Sequence, residues 1–167
     1  MWLDLRDVIE VPGAAAPFET ELDAALLLTP SVRGFRTPVR ARGAVTNTAG
    51  TLQLRAEVRA EMECVCDRCG EAFPRGRTQK VDVPLAAGPE DQGESDMFPL
   101  DGDGIDVNEV LETCFILETE SRFLCRPDCK GLCPVCGKNL NEGPCACRGE
   151  SVDPRLAVLS ALLDEQR

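Results

Sequence analysis

The sequence predicts an α+β fold: an antiparallel β-sheet, a long amphipathic helix and a Cys-rich, zinc-knotted C-terminal subdomain. Three observations carry this reading. From Leu52 to Cys66 every even position is apolar and nearly every odd one polar, the pattern of a half-buried strand with one solvated face. Behind Asp106, the residues Val107, Val110, Leu111, Cys114 and Leu117 fall at helical spacing, with Asp106 as N-cap and Glu109 three residues on as a capping box. Eight of the ten cysteines sit in pairs at metal-ligand spacing, most of them after residue 124, which a tetrahedral structural zinc site requires.

The elements follow in order. Leu3, Leu5, Ile9 and Val11 alternate as a first strand. Residues 12–17, Pro-Gly-Ala-Ala-Ala-Pro, break the chain, and residues 18–29 fit either a strand or a short helix. Val39, Ala41 and Val45 alternate with Arg40 and Arg42 ahead of the turn-like stretch Thr46 to Gly50, so residues 36–66 read as a long hairpin. Val81, Val83 and Leu85 suggest a further strand. Residues 87–104 are rich in Pro, Gly and acids, with little to bury, and read as an exposed acidic loop. The helix is expected over 106–120. Asp153-Pro154 looks like the start of a short C-terminal helix carrying Leu156, Leu159, Leu162 and Leu163. The expected organisation is a β-rich core over 1–120 and a zinc-binding knot over 121–167.

Composition narrows the function. With 167 residues, of which 43% are hydrophobic, one core plus a small module is feasible. No apolar run is long enough for a membrane helix, and the charged start Met-Trp-Leu-Asp-Leu-Arg does not look like a secretory signal. A cytoplasmic protein with no membrane partner is expected. In a reducing compartment, cysteines this dense point to metal rather than disulfides. The chain has no histidine, so Ser-His-Asp triads, Cys-His pairs and His-ligated catalytic zinc are excluded. Thiolate chemistry, carboxylate chemistry or no catalysis remain.

Cys133-Pro-Val-Cys136-Gly137 has the form of a zinc knuckle. The glycine permits the positive-φ turn that aims backbone N–H groups at sulfur. Cys145 and Cys147 can supply the second pair of ligands. Cys66-Asp-Arg-Cys69-Gly70 is another knuckle, and Cys125 and Cys129 are its available partners. Two four-cysteine zinc sites are therefore favoured, with one at minimum. An iron–sulfur cluster is the alternative occupant. Cys64 continues the inward face of the strand and Cys114 lies on the apolar helix face, so both read as small buried side chains.

The net charge of −11 hides a basic block. Residues 33–80 hold ten bases against five acids, so this segment alone favours an anionic partner. Arg40, Arg42, Arg55 and Arg59 are expected on the solvated hairpin face, with Arg68, Arg75 and Arg77 close in sequence. Arginine forks suit phosphate oxygens. A turn centred between Thr48 and Ala49 would set Arg40 opposite Glu57 and Arg42 opposite Arg55. With one Trp, six Phe and no Tyr, no aromatic platform for base stacking is evident.

The segment from Cys125 to Cys147, Cys-Arg-Pro-Asp-Cys-Lys-Gly-Leu-Cys-Pro-Val-Cys-Gly-Lys-Asn-Leu-Asn-Glu-Gly-Pro-Cys-Ala-Cys, resembles the C-terminal signature of the bacterial YceD family, the large ribosomal RNA subunit accumulation proteins. Cys66-Asp-Arg-Cys69 at the end of a long strand and the Asp153-Pro-Arg-Leu-Ala ending match it too. Gly70 stands where leucine is common. The resemblance implies a non-enzymatic ribosome-biogenesis factor for 23S rRNA accumulation or processing, with large-subunit rRNA or a pre-ribosomal particle as partner. The arginines named above are then the expected RNA contacts. The acidic loop offers the alternative of a zinc-stapled adaptor or chaperone for a basic ribosomal or assembly protein.

Overall fold

The structure is a computed structural model that describes residues 1–86 and 97–147. The expected helix after Asp153 and the acidic run from Glu90 to Asp96 lie outside the described residues. The chain forms two compact units, Met1–Cys129 and a second beginning at Lys130.

The alternating stretch forms strand β5 (Thr51–Val65), flanked by β4 (Val39–Thr48) and β6 (Ala72–Ala86). All three are antiparallel along their length. β6 is three times longer than the three apolar residues suggested, because its first half carries Arg75 and Arg77 on the inward face, where sequence alternation shows no apolar signal. β2 (Ala15–Leu22) joins the outer edge of β4, and β3 (Val32–Phe35) pairs with β5 beyond the end of β4. The break at Thr37-Pro38 separates β3 from β4, as expected where proline removes a ladder N–H. β7 (Phe98–Pro99) adds a short parallel pair to β6, and β1 (Trp2–Asp4) pairs with β8 (Gly104–Asp106) in a separate two-stranded sheet. The sheet is thus mixed rather than purely antiparallel, and residues 98–104 are only partly loop.

Three expectations about helices change. The first strand ends at Asp4, and Arg6–Glu10 form the short helix α1. Leu5 and Val8 are buried there at i, i+3 spacing, which the period-2 reading of residues 3–11 overlooked. Residues 15–22 are strand, so the break over 12–17 shortens to the turn before Ala15. Helix α2 (Val107–Leu117) has 11 residues and is not a long helix. Asp106 caps it as expected, accepting from the N–H groups of Asn108 at 2.9 Å and Glu109 at 3.4 Å. It stops at Glu118, whose N–H returns to the Cys114 carbonyl. Phe115 is buried in place of Leu117, which is 77% exposed. Phe115 wins the inward position because Phe35 meets its ring at 6.4 Å and Arg77 covers it.

The core lies between the inner sheet face and α2. Leu52, Leu54, Val58, Met62, Leu111, Phe115 and Phe123 are each fully buried. Cys64 and Cys114 are buried there as small side chains, and burial raises both thiol pKa values. No helix among the described residues is long and apolar enough to cross a membrane.

The β4–β5 hairpin turns on Ala49 and Gly50, with φ of 54° and 92°, and Thr48 pairs with Thr51. A two-residue loop with both φ positive matches the twist of the flanking strands. Ala49 is the one described non-glycine residue with positive φ. Ala49→Asn should therefore stabilise the fold by about 0.5–1 kcal/mol, since asparagine tolerates this region better than alanine. A urea midpoint at or below that of the parent would contradict the assignment.

Asn47 anchors this turn and was not singled out by sequence. Its buried side chain donates to the carbonyls of Val8 at 2.8 Å and Ile9 at 3.0 Å and accepts from the Gly50 N–H at 2.9 Å. It ties the end of α1 to the hairpin. Asn47→Ala leaves those groups unpaired and should destabilise the protein by about 2–3 kcal/mol. A shift under about 0.5 kcal/mol in equilibrium unfolding would rule out the clasp.

Candidate metal centres and charged faces

The β5–β6 turn is itself the first knuckle. Val65 pairs with Ala72, so Cys66 to Glu71 form the tip of a hairpin with 15-residue arms. The Cys66 N–H donates to the Glu71 carbonyl at 2.9 Å, and the Gly70 N–H to the Cys66 carbonyl at 2.8 Å. Gly70 has φ of 73°. The second knuckle repeats this: the Cys133 N–H reaches the Lys138 carbonyl at 2.8 Å, the Gly137 N–H reaches the Cys133 carbonyl at 2.9 Å, and Gly137 has φ of 72°. Only glycine adopts that φ without strain.

Cys66, Cys69, Cys125 and Cys129 converge in the first unit, and Cys133, Cys136, Cys145 and Cys147 in the second, each set with ligand atoms within 4.8 Å of one another. None of the ten cysteines forms a disulfide. Sulfur separations are 3.7 Å for Cys66–Cys129, 3.7 Å for Cys69–Cys125 and 3.5 Å for Cys133–Cys145. A tetrahedron with zinc–sulfur bonds of about 2.3 Å has edges of about 3.8 Å, so the sulfurs already stand near ligand spacing.

The electrostatics fit a cation. Burial opposes ionisation of Cys66, but the backbone N–H groups of Cys125, Cys69 and Arg68 outweigh it and bring the thiol down to about 6. Burial and its thiol neighbours push Cys69 up to about 12, and burial also raises Cys125. In the second group, N–H groups of Cys136 and Val135 bring Cys133 down to about 6, while the Cys136 thiol beside it pushes Cys147 up to about 12. One thiol in each group ionises readily and the last resists, as like charges at this distance must. A soft divalent cation is what lets all four ionise together.

The approach of Cys125 and Cys129 to the hairpin tip has its own scaffolding, which sequence reasoning missed. The Asp67 carboxylate accepts from the Ser31 hydroxyl at 2.7 Å and the Phe123 N–H at 2.5 Å, and the Asp67 N–H returns to the Phe123 carbonyl at 2.9 Å. These donors hold the Asp67 carboxyl below the usual carboxylate range. Phe123 is buried beneath. Arg68 donates to the Cys129 carbonyl at 2.6 Å. The non-cysteine positions of the knuckle are therefore clamps. Only their acid–base character in a tight turn could have signalled this.

The arginines do not share one surface. Arg40, Arg42, Arg55 and Arg59 lie on the solvated sheet face as expected. The register places Arg42 opposite Glu57 and Arg40 opposite Arg59, two residues away from the expected register because the loop is Ala49-Gly50. The face is also interleaved with acids. Arg40 pairs with Glu21 at 3.1 Å, Arg55 with Asp82 at 3.2 Å and Arg59 with Glu57 at 2.5 Å. Glu19, Glu61 and Glu63 stand on the same face. A linear charge block does not become a basic patch when β2, from an acidic segment, is its neighbour. Arg75 and Arg77 occupy the inner face near the end of α2, over Phe123 at 5.6 Å and Phe115 at 4.5 Å.

The chain was compared with known proteins. The family model described as Large ribosomal RNA subunit accumulation protein YceD matches residues 54–163. A maize protein named Large ribosomal RNA subunit accumulation protein YCED homolog 1, chloroplastic, is 28% identical over 149 residues, covering 70% of this chain and 51% of its own length. The Arabidopsis thaliana protein of that name is 26% identical over 161 residues, 78% of this chain and 50% of its own. An uncharacterised Mycobacterium tuberculosis protein is 36% identical over 103 residues, 59% of this chain and 49% of its own. The chain spans about half the length of these curated relatives. No solved structure matches. The matched span runs from β5 through both cysteine groups, and the chain belongs to the large ribosomal RNA subunit accumulation protein YceD family.

Proposed function

We propose that this protein is a non-enzymatic ribosome-biogenesis factor that supports large-subunit rRNA accumulation by binding rRNA, with one four-cysteine zinc site in each of its two units, the first of them holding the arginine-bearing hairpin in shape. Family membership over residues 54–163 carries the rRNA reading. The convergence of eight cysteines into two tetrads supports the zinc. When bound, zinc supplies cross-linking and no chemistry. Each site with four thiolates has a net charge of about −2, so RNA contacts fall to arginines elsewhere. The work of the protein is then recognition: Asp67, Arg68 and the knuckle N–H groups fix the hairpin tip, and the arginine-bearing strands follow from it.

One observation favours a second reading. The solvated face of Arg40, Arg42, Arg55 and Arg59 is laced with carboxylates, which suits a mixed-charge protein partner such as a ribosomal or assembly protein. In-cell crosslinking of the tagged protein, with sequencing of attached RNA and identification of attached proteins, separates the two. A focused peak on large-subunit rRNA is expected. Enrichment of one assembly protein with RNA at background level would make the protein an adaptor.

A further inference from the structure

Arg77 differs from the other arginines of the sheet. Arg40, Arg55, Arg59 and Arg75 each have a carboxylate within ion-pair distance. Arg77 has none among the described residues, yet it is half-buried. Its guanidinium is held on three sides. It lies 4.5 Å over the Phe115 ring, donates from Nη1 to Thr119 Oγ1 at 2.7 Å and from Nη2 to Gln79 Oε1 at 2.6 Å. Both acceptors are themselves fixed to the last turn of α2. Gln79 is buried and donates from Nε2 to the Cys114 carbonyl at 3.0 Å, and Thr119 donates to the Phe115 carbonyl at 2.6 Å.

Part of this arrangement places a cation at the C-terminal end of α2, which is favourable in itself. It uses only two of the five guanidinium N–H groups. Arg77 lines a crevice of about 410 Å³ together with Met62, Arg75, Gly76, Glu118, Glu120 and Phe123, with Glu120 already paired to Arg75 at 2.6 Å. Burial pulls the Arg77 pKa below its ordinary value, against the opposing pull of the Glu118 and Glu120 carboxylates, neither of which is within ion-pair distance of it. A preorganised, half-desolvated guanidinium with free N–H groups in a cleft is the arrangement that recognises an oxyanion.

The crevice continues outward. A second depression of about 600 Å³ lies on the solvated face and is lined by Arg40, Arg59 and Glu61. The two depressions share Gly76, Arg77 and Thr78. Among the described residues β6 pairs with β7 only at Leu85 and Ala86, so this rim is an open sheet edge. The carboxylate of the exposed Glu61 side chain lies over Gly76, 3.0 Å from where a Cβ would stand, and swings aside when a strand crosses there. Arg40 and Arg59 stand directly opposite each other across the hairpin, each on an exposed ion pair, with Glu21 and Glu57 respectively, which an incoming phosphate can exchange at small cost. The Glu118 carboxylate in the inner lining repels a dianion more than a monoanion.

We propose that Arg77, with Arg75 beside it, forms a notch for a singly charged phosphodiester of single-stranded RNA, whose strand reaches it over the Gly76 rim from the Arg40–Arg59 side. This rests on the rRNA-binding reading and names the residues that carry it. Arg77 is the central contact, while Arg42 and Arg55, beyond this path, contribute little.

The test uses the full chain with zinc bound and a labelled oligoribonucleotide of about 12 nucleotides in a salt series from about 50 mM KCl. Arg77→Gln should weaken binding about tenfold and lower the log–log salt slope by about 1. Arg77→Lys keeps the charge but loses the fork, and should weaken binding by a smaller factor. Arg42→Gln and Arg55→Gln should change it less than about twofold. In the wild type the Arg77 Nε–Hε resonance should shift on RNA addition, a readout that stands even where a variant misfolds. Binding by the wild type with an unmoved Arg77 resonance, or Arg77 variants that bind as the wild type, overturns the notch and leaves the rRNA reading intact. Displacement of the RNA by inorganic phosphate at equal phosphate concentration would also overturn it, by showing a site for free phosphate. No RNA binding by the wild type at the lowest salt overturns the functional reading and the notch with it.

Discussion

Cys66→Ser should reduce bound zinc from two ions per chain to one and destabilise the first unit by more than about 3 kcal/mol. The reason is topological. Cys66 and Cys69 sit at the tip of the β5–β6 hairpin, while Cys125 and Cys129 arrive from the segment after α2. A metal held by these four cysteines would close a loop of roughly 60 residues, and closure of a long loop removes much chain entropy from the unfolded state. Losing one thiolate also strands three sulfurs around an empty centre, those of Cys69 and Cys129 buried and that of Cys125 half-buried. Cys66, Cys69 and Cys129 are nearly inaccessible and pack with Phe73 and Leu124. The Asp67 and Arg68 clamps remain but are exposed or part-buried bonds, each worth about 1 kcal/mol. Native mass spectrometry of the variant with thermal unfolding checks both numbers. Two zinc ions retained at an unchanged melting temperature would show that the four cysteines are not a ligand set.

Zinc removal should have the opposite distribution of effects in the second unit: complete local unfolding at little cost to the first. Among its described residues only Gly131 and Cys133 are buried. Leu132 and Val135 are 45% and 72% exposed, so among the described residues no apolar core supports this unit. What remains is a set of local hydrogen bonds, such as the Leu140 N–H to the Gly131 carbonyl at 2.9 Å and the Lys130 N–H to Asn141 Oδ1 at 2.8 Å. Such bonds do not offset the entropy of ordering 18 residues, roughly 1–2 kcal/mol each, and the metal must supply the difference. Cys133→Ser should therefore abolish amide-exchange protection over 130–147 while protection in β4, β5 and β6 stays within about 1 kcal/mol of the wild type. Persistent protection of 130–147 in the zinc-free variant would contradict a metal-dependent fold.

The parts of this account legible in the sequence share one property: they depend on neighbours within a few residues. The β5 alternation, the Asp106 cap and the two Cys-x-x-Cys-Gly turns each carry their physics locally, and the spare pair Cys125 and Cys129 followed by matching ligand counts. What was hidden depends on distant packing. The inward placement of Arg75 and Arg77 exists only because Phe115, Phe123 and the end of α2 lie over β6. The interleaved charges of the solvated face exist because β2 brings Glu19 and Glu21 beside Arg42 and Arg40. The hairpin register turned on Ala49 adopting a positive φ, which alanine does not advertise. Asn47 looked like a turn residue and is a buried clasp. The helix ended early because Thr119 and Glu118 bond back to α2, while apolar spacing alone let it run to residue 120.

The central structural proposal is a pair of tetrahedral four-sulfur zinc sites built on twin knuckles, the first closing the unit that carries the arginine-bearing sheet and the second ordering residues 130–147. X-ray absorption at the zinc edge, combined with native mass spectrometry of the purified full chain, tests it most directly. The account predicts two zinc ions per chain, each surrounded by four sulfurs at about 2.3 Å and no nitrogen, in a colourless protein. A folded protein with no bound zinc, or a brown one with iron and labile sulfide, would contradict it.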